Sequence, residues 1–340
     1  MTLKVQIFLK KRKALALFTI TKNKEKPLGK EYFVNYLITP NDAGKTVKDV
    51  LRNSIGLSVA FIKHLKFIEN GILLNGEHAT VRRTVAVGDV LTLSTEDNEY
   101  GEHLTPTDIP LDIVYEDSDV IIPNKPPFMP THPSHLHHGD TVADALAFRY
   151  SQKGLPFVFR PVNRLDKNTS GLTIIAKSRI SAARMADSMR EGKIKKQYLA
   201  VLHGSPADDV GKIETYMHRT AQSVIVRENC SADEGGDYAL TEYRVLKRTE
   251  EYSLVLASPV TGRTHQLRVH FAGIGCPIVG DDLYGTPHPL IPRHALHAVS
   301  LIFPLPSSEN EISVSAPLPD DMKSLITSLF GELPDDINCI

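Results

Sequence analysis

Apolar residues recur at helical spacing in two stretches near the start of the chain, and short apolar runs follow them. The first stretch predicts a helix that begins after a capping Thr46 and buries Val47, Val50, Leu51 and Ile55. The second predicts a helix capped by Ser58 and ended by Gly71, with the core positions Phe61, Ile62, Leu65 and Ile68. The turn Asn75-Gly76 and an apolar run over 85–93 then predict a hairpin and a closing strand. These patterns predict a small unit over residues 31–98.

A polar, proline-interrupted segment over 99–112 predicts a linker, and a larger unit follows it over 113–325. Helices are predicted near 141–151, capped by Thr141, and near 179–191. Strands are predicted near 172–176, 197–203, 240–247, 252–258 and 264–270. Mainly antiparallel strands with flanking helices predict an α+β fold class for the larger unit, and 326–340 is expected to be a tail.

Composition indicates the compartment in which the protein is expected to work. Hydrophobic residues make up 41% of the chain and charged residues 23%, which is typical of globular proteins. Three scattered cysteines fit a reducing cytoplasm better than a disulfide framework. No apolar run approaches the ~20 residues that a membrane span needs. The short apolar run at 14–20 is followed by three lysines where a signal peptide would be cleaved, so we expect a cytoplasmic protein.

Charge is distributed unevenly along the chain. Residues 1–30 contain nine Lys or Arg against one acid, a net charge of +8, while the whole chain has a net charge of −1. Such a basic arm can add salt-sensitive affinity for phosphates. It can equally be a solvated or partly disordered extension with no dedicated role.

The segment RLDKNTSGL at 164–172 carries the most specific chemistry. It places the carboxylate of Asp166 between the cation of Arg164 and a polar turn, immediately before an apolar strand. Loops that enter core strands often carry catalytic residues. The plain alternative is a turn that merely caps the strand.

This segment resembles the RLDxxTSGL signature of RluA-type pseudouridine synthases, which modify large-subunit ribosomal RNA and some transfer RNAs. KKQYLAVLHG at 195–204 and TGRTHQLRVH at 261–270 resemble two further motifs of the family, in the same order. The flanking segments 113–134 and GDDLYG at 280–285 also fit, so the resemblance covers about residues 113–305. One departure is Asn163, where the family usually has histidine.

The resemblance implies a nucleophilic or basic role for Asp166, with Arg268 paired to it from the strand near 264–270. It implies that Tyr198 stacks on the flipped uracil or transfers a proton, although an isolated strand tyrosine is ordinarily a core residue. Arg164 either fills the vacated base stack or makes a phosphate contact or structural ion pair. Asn163 keeps a donor and an acceptor for RNA. The reaction is an isomerisation, and we expect no cofactor.

The unit at 31–98 resembles the RNA-binding domain first named for ribosomal protein S-four. That resemblance implies phosphate contacts from its basic residues, which are Lys45, Lys48, Arg52, Lys63, Lys66, Arg82 and Arg83. The alternative is a solvated charged face, because the acids of this unit nearly balance its bases.

Several histidines could suggest a metal site. His132, His135, His137 and His138 lie in a Pro- and Gly-flanked loop with no completing Cys or acid, so we expect no metal. His265 and His270 miss the i, i+4 spacing of a zinc-protease helix and are expected to be strand residues near the pocket.

The sequence therefore predicts a cytoplasmic RNA pseudouridine synthase whose expected partner is 23S ribosomal RNA. It indicates no membrane association and no obligate protein partner. Two alternatives stay open: the same chemistry on transfer RNA, and a non-catalytic RNA-binding protein of ribosome assembly.

Overall fold

The computed structural model describes residues 6–11, 14–22, 32–57, 59–68, 70–94, 104–134, 137–223, 225–306, 308 and 310–331. It contains one sheet of six strands and one of eleven. The strands are β1 (Gln6–Lys11), β2 (Ala14–Lys22), β3 (Tyr32–Leu37), β4 (Ile72–Leu74), β5 (Glu77–His78), β6 (Val90–Ser94), β7 (Asp112–Glu116), β8 (Val120–Lys125), β9 (Ser170–Leu172), β10 (Ile175–Ala176), β11 (Lys195–His203), β12 (Val210–Arg219), β13 (Arg227–Cys230), β14 (Asp237–Arg248), β15 (Tyr252–Pro259), β16 (Leu296–Pro304) and β17 (Glu311–Ser315). The helices are α1 (Val47–Asp49), α2 (Val59–Leu65), α3 (Val142–Gln152), α4 (Arg179–Arg190), α5 (Gln266–Gly273) and α6 (Asp320–Phe330).

The first predicted helix is confirmed, and its cap explains where it begins. The Thr46 hydroxyl accepts a hydrogen bond from the Asp49 backbone, and the Asp49 carboxylate accepts one from the Thr46 backbone. After α1 the backbone continues as a π-helical turn over Val50–Ser54. The four predicted core residues of this helix are buried against α2 and the small sheet.

The end of the second predicted helix was placed wrongly. Helix α2 ends at Leu65, six residues before Gly71, and the left-handed residue nearby is Asn70 (φ 58°). Gly71 serves close packing instead, since a Cβ there would lie 2.1 Å from the Leu65 carbonyl oxygen. The predicted cap Ser58 lies outside the described residues.

The predicted hairpin is confirmed. Asn75 (φ 56°) and Gly76 (φ 85°) both adopt left-handed backbone between β4 and β5. The Asn75 side chain accepts a hydrogen bond from the Val90 backbone, which joins the turn to β6. The sheet order is β1-β2-β3-β6-β4-β5, so backbone of the basic arm forms two of its strands, which was not expected.

The larger unit has the predicted α+β class. Its sheet runs β10-β8-β9-β16-β11-β15-β14-β12-β13, with β7 on β8 and β17 on β16. Of its paired strands, β9 and β16 are parallel and the others are antiparallel. The predicted helices near 141–151 and 179–191 are α3 and α4, and Thr141 caps α3 together with Asp144.

The predicted strand at 264–270 is wrong, because these residues begin helix α5. All residues from Gln266 to Phe271 are buried, and a short run that is buried on every side has no periodicity to separate helix from strand. The Gln266 side chain fixes the helix start by bonding Thr261, the Arg263 backbone and Leu240. The predicted strand near 172–176 is two short strands, β9 and β10.

The C-terminal helix belongs to the core of the larger unit. Met322, Leu325, Ile326 and Phe330 of α6 are buried in the same apolar cluster as β11 and β15. The expected boundary at residue 325 therefore falls inside this helix. At the other end, Leu104, Ile109 and Leu111 of the predicted linker pack beside α3. No helix among the described residues combines the length and apolarity needed to cross a bilayer.

Candidate active site

Asp166 lies in the turn before β9, on the wall of a cleft of about 910 Å³. Its side chain is 29% exposed, so it is reachable from the cleft while the backbone beneath it is held. The Asp166 carbonyl accepts a hydrogen bond from the Thr169 amide, and Leu165 bonds the buried Thr131 hydroxyl through both its amide and its carbonyl. The sheet and the 126–134 loop therefore fix the position of this carboxylate.

Charge along the cleft is strongly unequal. Of the described residues that line it, Asp166 is the single carboxylate. The cationic side chains that line it are Arg164, Lys167, Arg190, Lys196, Arg263 and Arg268. Three of these cations are ion-paired with carboxylates that do not line the cleft: Arg190 with Asp187, Arg263 with Asp237 and Arg268 with Asp281. Arg164, Lys167 and Lys196 have no such pair among the described residues, so the lining keeps an excess of positive charge that concentrates polyanions, although the whole chain carries a net charge of −1.

The three residues predicted to act together do meet. Arg268 Nη1 lies 3.7 Å from Asp166 Oδ2, and Tyr198 lines the same cleft from β11. Burial raises the pKa of Tyr198, and the negative charge of Asp166 raises it further. Tyr198 therefore keeps its proton at neutral pH and presents both a ring and a hydroxyl donor to the cleft.

The strongest partner of Arg268 is not Asp166. Its Nε and Nη2 donate to the two oxygens of Asp281 at 2.7 and 2.6 Å, a bidentate pair that is almost wholly buried. Burial alone would raise the pKa of Asp281, but the hydrogen bonds and charge of Arg268 lower it. The contact between Arg268 and Asp166 is therefore longer than the hydrogen bonds that hold the same guanidinium on Asp281.

Two buried cations hold the Asp166 turn from below. Lys125 Nζ donates to the carbonyls of Pro126, Met129 and Lys167 at 2.8–3.0 Å. Burial and the charge of Arg293 lower the pKa of Lys125 to about 7, yet three carbonyl acceptors call for the three donors of an ammonium. Arg293 donates to the Asn168 carbonyl and pairs with Asp321 of α6.

Buried histidines complete this support. Thr169 Oγ1 lies 2.7 Å from His294 Nε2, and Ser170 Oγ lies 2.9 Å from His297 Nδ1. Gly171 permits the close approach of β9 to β16, because a Cβ there would lie 2.2 Å from the Ala298 carbonyl oxygen. The small hydroxyl residues of the motif therefore serve its architecture.

Asn163 and Arg164 have different surroundings. The Asn163 amide oxygen accepts a hydrogen bond from the Ile174 backbone at 2.8 Å, so this side chain braces the turn, with Nδ2 buried and unpaired among the described residues. Arg164 is exposed at the cleft wall. Its position is compatible with contact to a ligand, whereas that of Asn163 is structural.

The seven basic residues of the N-terminal unit fall into two groups. Lys45 pairs with Asp42, Arg52 donates to the Leu57 carbonyl, and Arg83 lies 3.8 Å from Glu77. The other four are exposed, with no ion pair to another described residue, and are Lys48, Lys63, Lys66 and Arg82. Lys66 and Arg82 line a second cleft of about 460 Å³ together with His78.

The histidine loop contributes to the cleft wall rather than forming a cluster. His132 lines the cleft, His137 bonds Asp140 at 2.6 Å, and His135 lies outside the described residues. No group of three potential metal ligands occurs in the part of the chain that the structure describes. His265 precedes α5 and its Nε2 lies 3.9 Å from Asp166, while His270 is buried within the helix; neither is the strand residue that we predicted.

Several residues of the site were not identified from the sequence. Each of these residues lies 13 to 125 positions along the sequence from the residue that it contacts; they are Asp281, Tyr284, Lys125 and Arg293. The acidic pair in GDDLYG and a lysine that ends the apolar strand β8 were visible signals. Neither signal indicates which partner the side chain meets.

Comparisons with known proteins agree with this geometry. The family model described as RNA pseudouridylate synthase matches residues 119–273. An uncharacterized RNA pseudouridine synthase of Bacillus subtilis is 34% identical over 83% of this chain and 98% of its own. Ribosomal large subunit pseudouridine synthase D of Vibrio cholerae is 34% identical over 77% of this chain and 84% of its own.

Solved structures lead to the same family. Human RNA pseudouridylate synthase domain containing 4 has a TM-score of 0.54 and 25% identity, and the match covers 66% of this chain and 95% of that one. Human RNA pseudouridylate synthase domain containing 1 has a TM-score of 0.51 and 29% identity, over 62% and 84% of the two chains. The chain belongs to the RluA-type family of RNA pseudouridine synthases, which isomerise uridine within RNA.

Proposed function

We propose that this enzyme isomerises uridine in the RNA of the large ribosomal subunit, with Asp166 as the carboxylate that acts on the nucleotide. The observation that carries the proposal is the cleft, which is lined by one carboxylate and six cationic side chains among the described residues. Its volume of about 910 Å³ is ample for one extruded nucleotide, and its cations suit the flanking phosphates.

The reaction conserves every atom of the RNA. The bond between C1′ and N1 breaks and its electron pair leaves with the uracil, while the Asp166 carboxylate bonds to C1′. After the uracil rotates, its C5 attacks C1′ and displaces the carboxylate. The displaced Asp166 carboxylate is then free to accept the C5 proton, and N1 takes up a proton, so that no oxidant, reductant or activated donor is consumed.

Residues around Asp166 suit this sequence of steps. Arg268 supplies positive charge 3.7 Å from the carboxylate and is itself held by Asp281, so it does not need to rearrange. Tyr198 offers a ring for the uracil to stack on. Because burial and Asp166 raise its pKa, the Tyr198 phenol keeps its proton and is suited to donate a hydrogen bond.

A uridine inside folded RNA must leave its stack before Asp166 can reach the sugar, at a cost of a few kcal/mol. Arg164 lies two residues from Asp166, exposed at the cleft wall, and is placed to fill the vacated position. The exposed Lys66 and Arg82 of the N-terminal unit are suited to more distant phosphates.

Two observations support ribosomal RNA over transfer RNA. Relatives named ribosomal large subunit pseudouridine synthase D match over 77–79% of this chain in four bacteria. The N-terminal unit also resembles a domain of ribosomal RNA-binding proteins. The assembly-factor alternative predicts binding without chemistry, and the intact Asp166, Tyr198 and Arg268 argue against it.

Tritium release tests the proposal. RNA that carries C5-tritiated uridine releases tritium to water only when C5 loses its hydrogen. Wild type, Asp166→Asn and a matched Asp209→Asn control, whose side chain is 75% exposed and paired with Arg248, are incubated with 23S ribosomal RNA and with bulk transfer RNA. We expect release by wild type and control, and a loss of at least about 10³-fold in Asp166→Asn, since the nucleophile is absent.

Each outcome has a separate meaning. Faster release from 23S RNA supports the ribosomal target, and faster release from transfer RNA overturns it while leaving the chemistry in place. Full activity of Asp166→Asn would overturn the role of Asp166. Binding of RNA without release by wild type would support the assembly-factor alternative.

A further inference from the structure

His265 has an uncommon backbone conformation directly beside Asp166. It is the residue before α5 and has φ 59°, ψ 16°, in the left-handed region. Residues other than glycine are uncommon there, although histidine, like asparagine and aspartate, is found there more often than most. His265 makes no capping hydrogen bond to the helix, so capping does not explain why this conformation is retained. The left-handed backbone directs the imidazole ring of His265 into the cleft.

The outer edge of the ring is fixed by Tyr284. His265 Nδ1 lies 2.8 Å from the Tyr284 hydroxyl, which also accepts a hydrogen bond from the Arg227 backbone at 2.8 Å. The Arg268 guanidinium lies 5.1 Å above the centre of the Tyr284 ring. Asp281 accepts from the Tyr284 amide, so the same carboxylate that clamps Arg268 also holds the turn carrying Tyr284.

These contacts assign the proton on the imidazole. The Tyr284 oxygen already accepts from Arg227, and its single proton finds an acceptor when it points to His265 Nδ1. The proton of a neutral His265 then lies on Nε2. Burial lowers the pKa of His265 and Arg268 adds to this, whereas Asp166 opposes it, so the ring is neutral at pH 7. The opposite tautomer would aim an Nε2 lone pair at a carboxylate.

This Nε2–H is available to a ligand. Its nearest acidic oxygen, Asp166 Oδ2, is 3.9 Å away, beyond hydrogen-bond length. The side chain is 11% exposed, and the ring lines the cleft. A neutral, oriented donor thus faces the same space as the reacting carboxylate.

We propose that His265 donates this hydrogen bond to a carbonyl oxygen of the uracil while the base is detached from the sugar. The inference rests on the proposed function and adds a residue that contacts the base. When the C1′–N1 bond breaks, the electron pair on the uracil spreads to its carbonyl oxygens. A preorganised donor stabilises that charge, and no proton needs to leave His265. The same bond retains the free ring while it turns from N1 to C5.

Two substitutions separate the two ring nitrogens. His265→Asn keeps an amide at the level of Nδ1, tolerates left-handed backbone and removes the group at Nε2. His265→Gln carries its amide to the level of Nε2 and loses the contact to Tyr284. Single-turnover tritium release is measured for both, together with RNA affinity by filter binding and thermal unfolding.

We expect His265→Asn to slow single-turnover release about 10²-fold, as the loss of one oxyanion donor does elsewhere, with RNA affinity within threefold of wild type. His265→Asn should unfold close to the wild-type temperature, because asparagine and histidine both tolerate left-handed backbone. His265→Gln should release tritium at least tenfold faster than His265→Asn, despite its less favourable backbone.

Two results would overturn the inference: release by His265→Asn within threefold of wild type, or equal losses in Asn and Gln, which would mean that the ring only supports its neighbours. Absence of release by wild type is a different failure. It would overturn the proposed function and this inference with it, without reference to the variants.

Discussion

The N-terminal unit and the catalytic domain differ in the residues that adopt left-handed backbone and in how they place charge. Among the described residues of the N-terminal unit, those other than glycine are Asn70 and Asn75, a residue type that tolerates this conformation. Among those of the catalytic domain they are His265, which also belongs to the types found there more often than most, and Phe128, a bulky residue for which it is costly. The strained position is therefore Phe128, which does not line the cleft.

Buried charge shows the same contrast. The described cations of the N-terminal unit are exposed or partly exposed, whereas Lys125, Arg268 and Arg293 are 0–4% exposed around the Asp166 turn. A buried cation needs an ion pair or a full set of hydrogen-bond acceptors: Arg268 and Arg293 pair with Asp281 and Asp321, and Lys125 donates to three backbone carbonyls. The buried polar groups around the cleft hold one another in place through these hydrogen bonds. Removing any one of them should therefore lower the stability of the site.

The largest expected effect comes from removing one member of such a pair. Arg268→Ala leaves Asp281 charged and wholly buried, so it should lower the free energy of unfolding by about 3–5 kcal/mol and abolish tritium release. Lys45→Ala removes a partly exposed partner of Asp42 in the N-terminal unit and should cost less than about 1 kcal/mol. Urea unfolding followed by circular dichroism measures both.

Equal costs for these two variants would remove the contrast between the regions. Arg268→Lys is the second variant to make, because it keeps the charge but cannot form the bidentate pair. Partial recovery of stability without recovery of tritium release would indicate that geometry and not charge alone is needed at this position.

An intermediate effect is expected from the cations of the N-terminal unit. The double variant Lys66→Gln and Arg82→Gln should weaken RNA binding and flatten its salt dependence by about 0.7–0.9 in slope for each phosphate that is no longer neutralised. The single-turnover rate at saturating RNA should be unchanged, since neither residue lines the catalytic cleft. Lys323→Gln, which removes an exposed partner of Asp320, is the matched control.

An unchanged salt slope in the double variant would favour a solvated charged face over an RNA-binding surface. The same measurement on a cleft cation such as Arg164→Gln should lower both affinity and rate. The N-terminal unit would then contribute binding alone, while the cleft contributes binding and chemistry.

The smallest expected effect concerns backbone strain away from Asp166. Phe128 has φ 65° and is 47% exposed. Phe128→Gly should be more stable than Phe128→Ala by about 0.5–1 kcal/mol, because both lose the ring but only alanine keeps the strain. Asn70→Gly should change stability by less than about 0.5 kcal/mol. Urea midpoints of the three variants measure the difference, and a more stable Phe128→Ala would contradict it.

The predictable parts of the fold are those that local chemistry decides. Thr46 and Thr141 cap helices because a hydroxyl three residues before an acid forms a capping box, whatever lies beyond it. Asn75-Gly76 forms a hairpin for a similarly local reason. Asp166, Tyr198 and Arg268 were identified through motif resemblance, and the cleft does bring them together.

The parts that were missed depend on distant partners. Helix α5 was predicted as a strand because every residue from Gln266 to Phe271 is buried, and its start is fixed by Gln266 reaching across to Leu240. The carboxylate that clamps Arg268 was missed for the same reason, since Asp281 lies 13 positions away with no periodic signal. Neither interaction has a local signature.

The pair formed by Arg293 and Asp321 has a consequence for the order of synthesis. In the turn that carries Asp166, the Asn168 carbonyl accepts its hydrogen bond from the distant Arg293. Arg293 in turn forms an ion pair with Asp321 of α6. A nascent chain that has exposed Asp166 still lacks about 150 residues before this support is complete. The contacts that hold the Asp166 turn are therefore complete only after α6 has been synthesised.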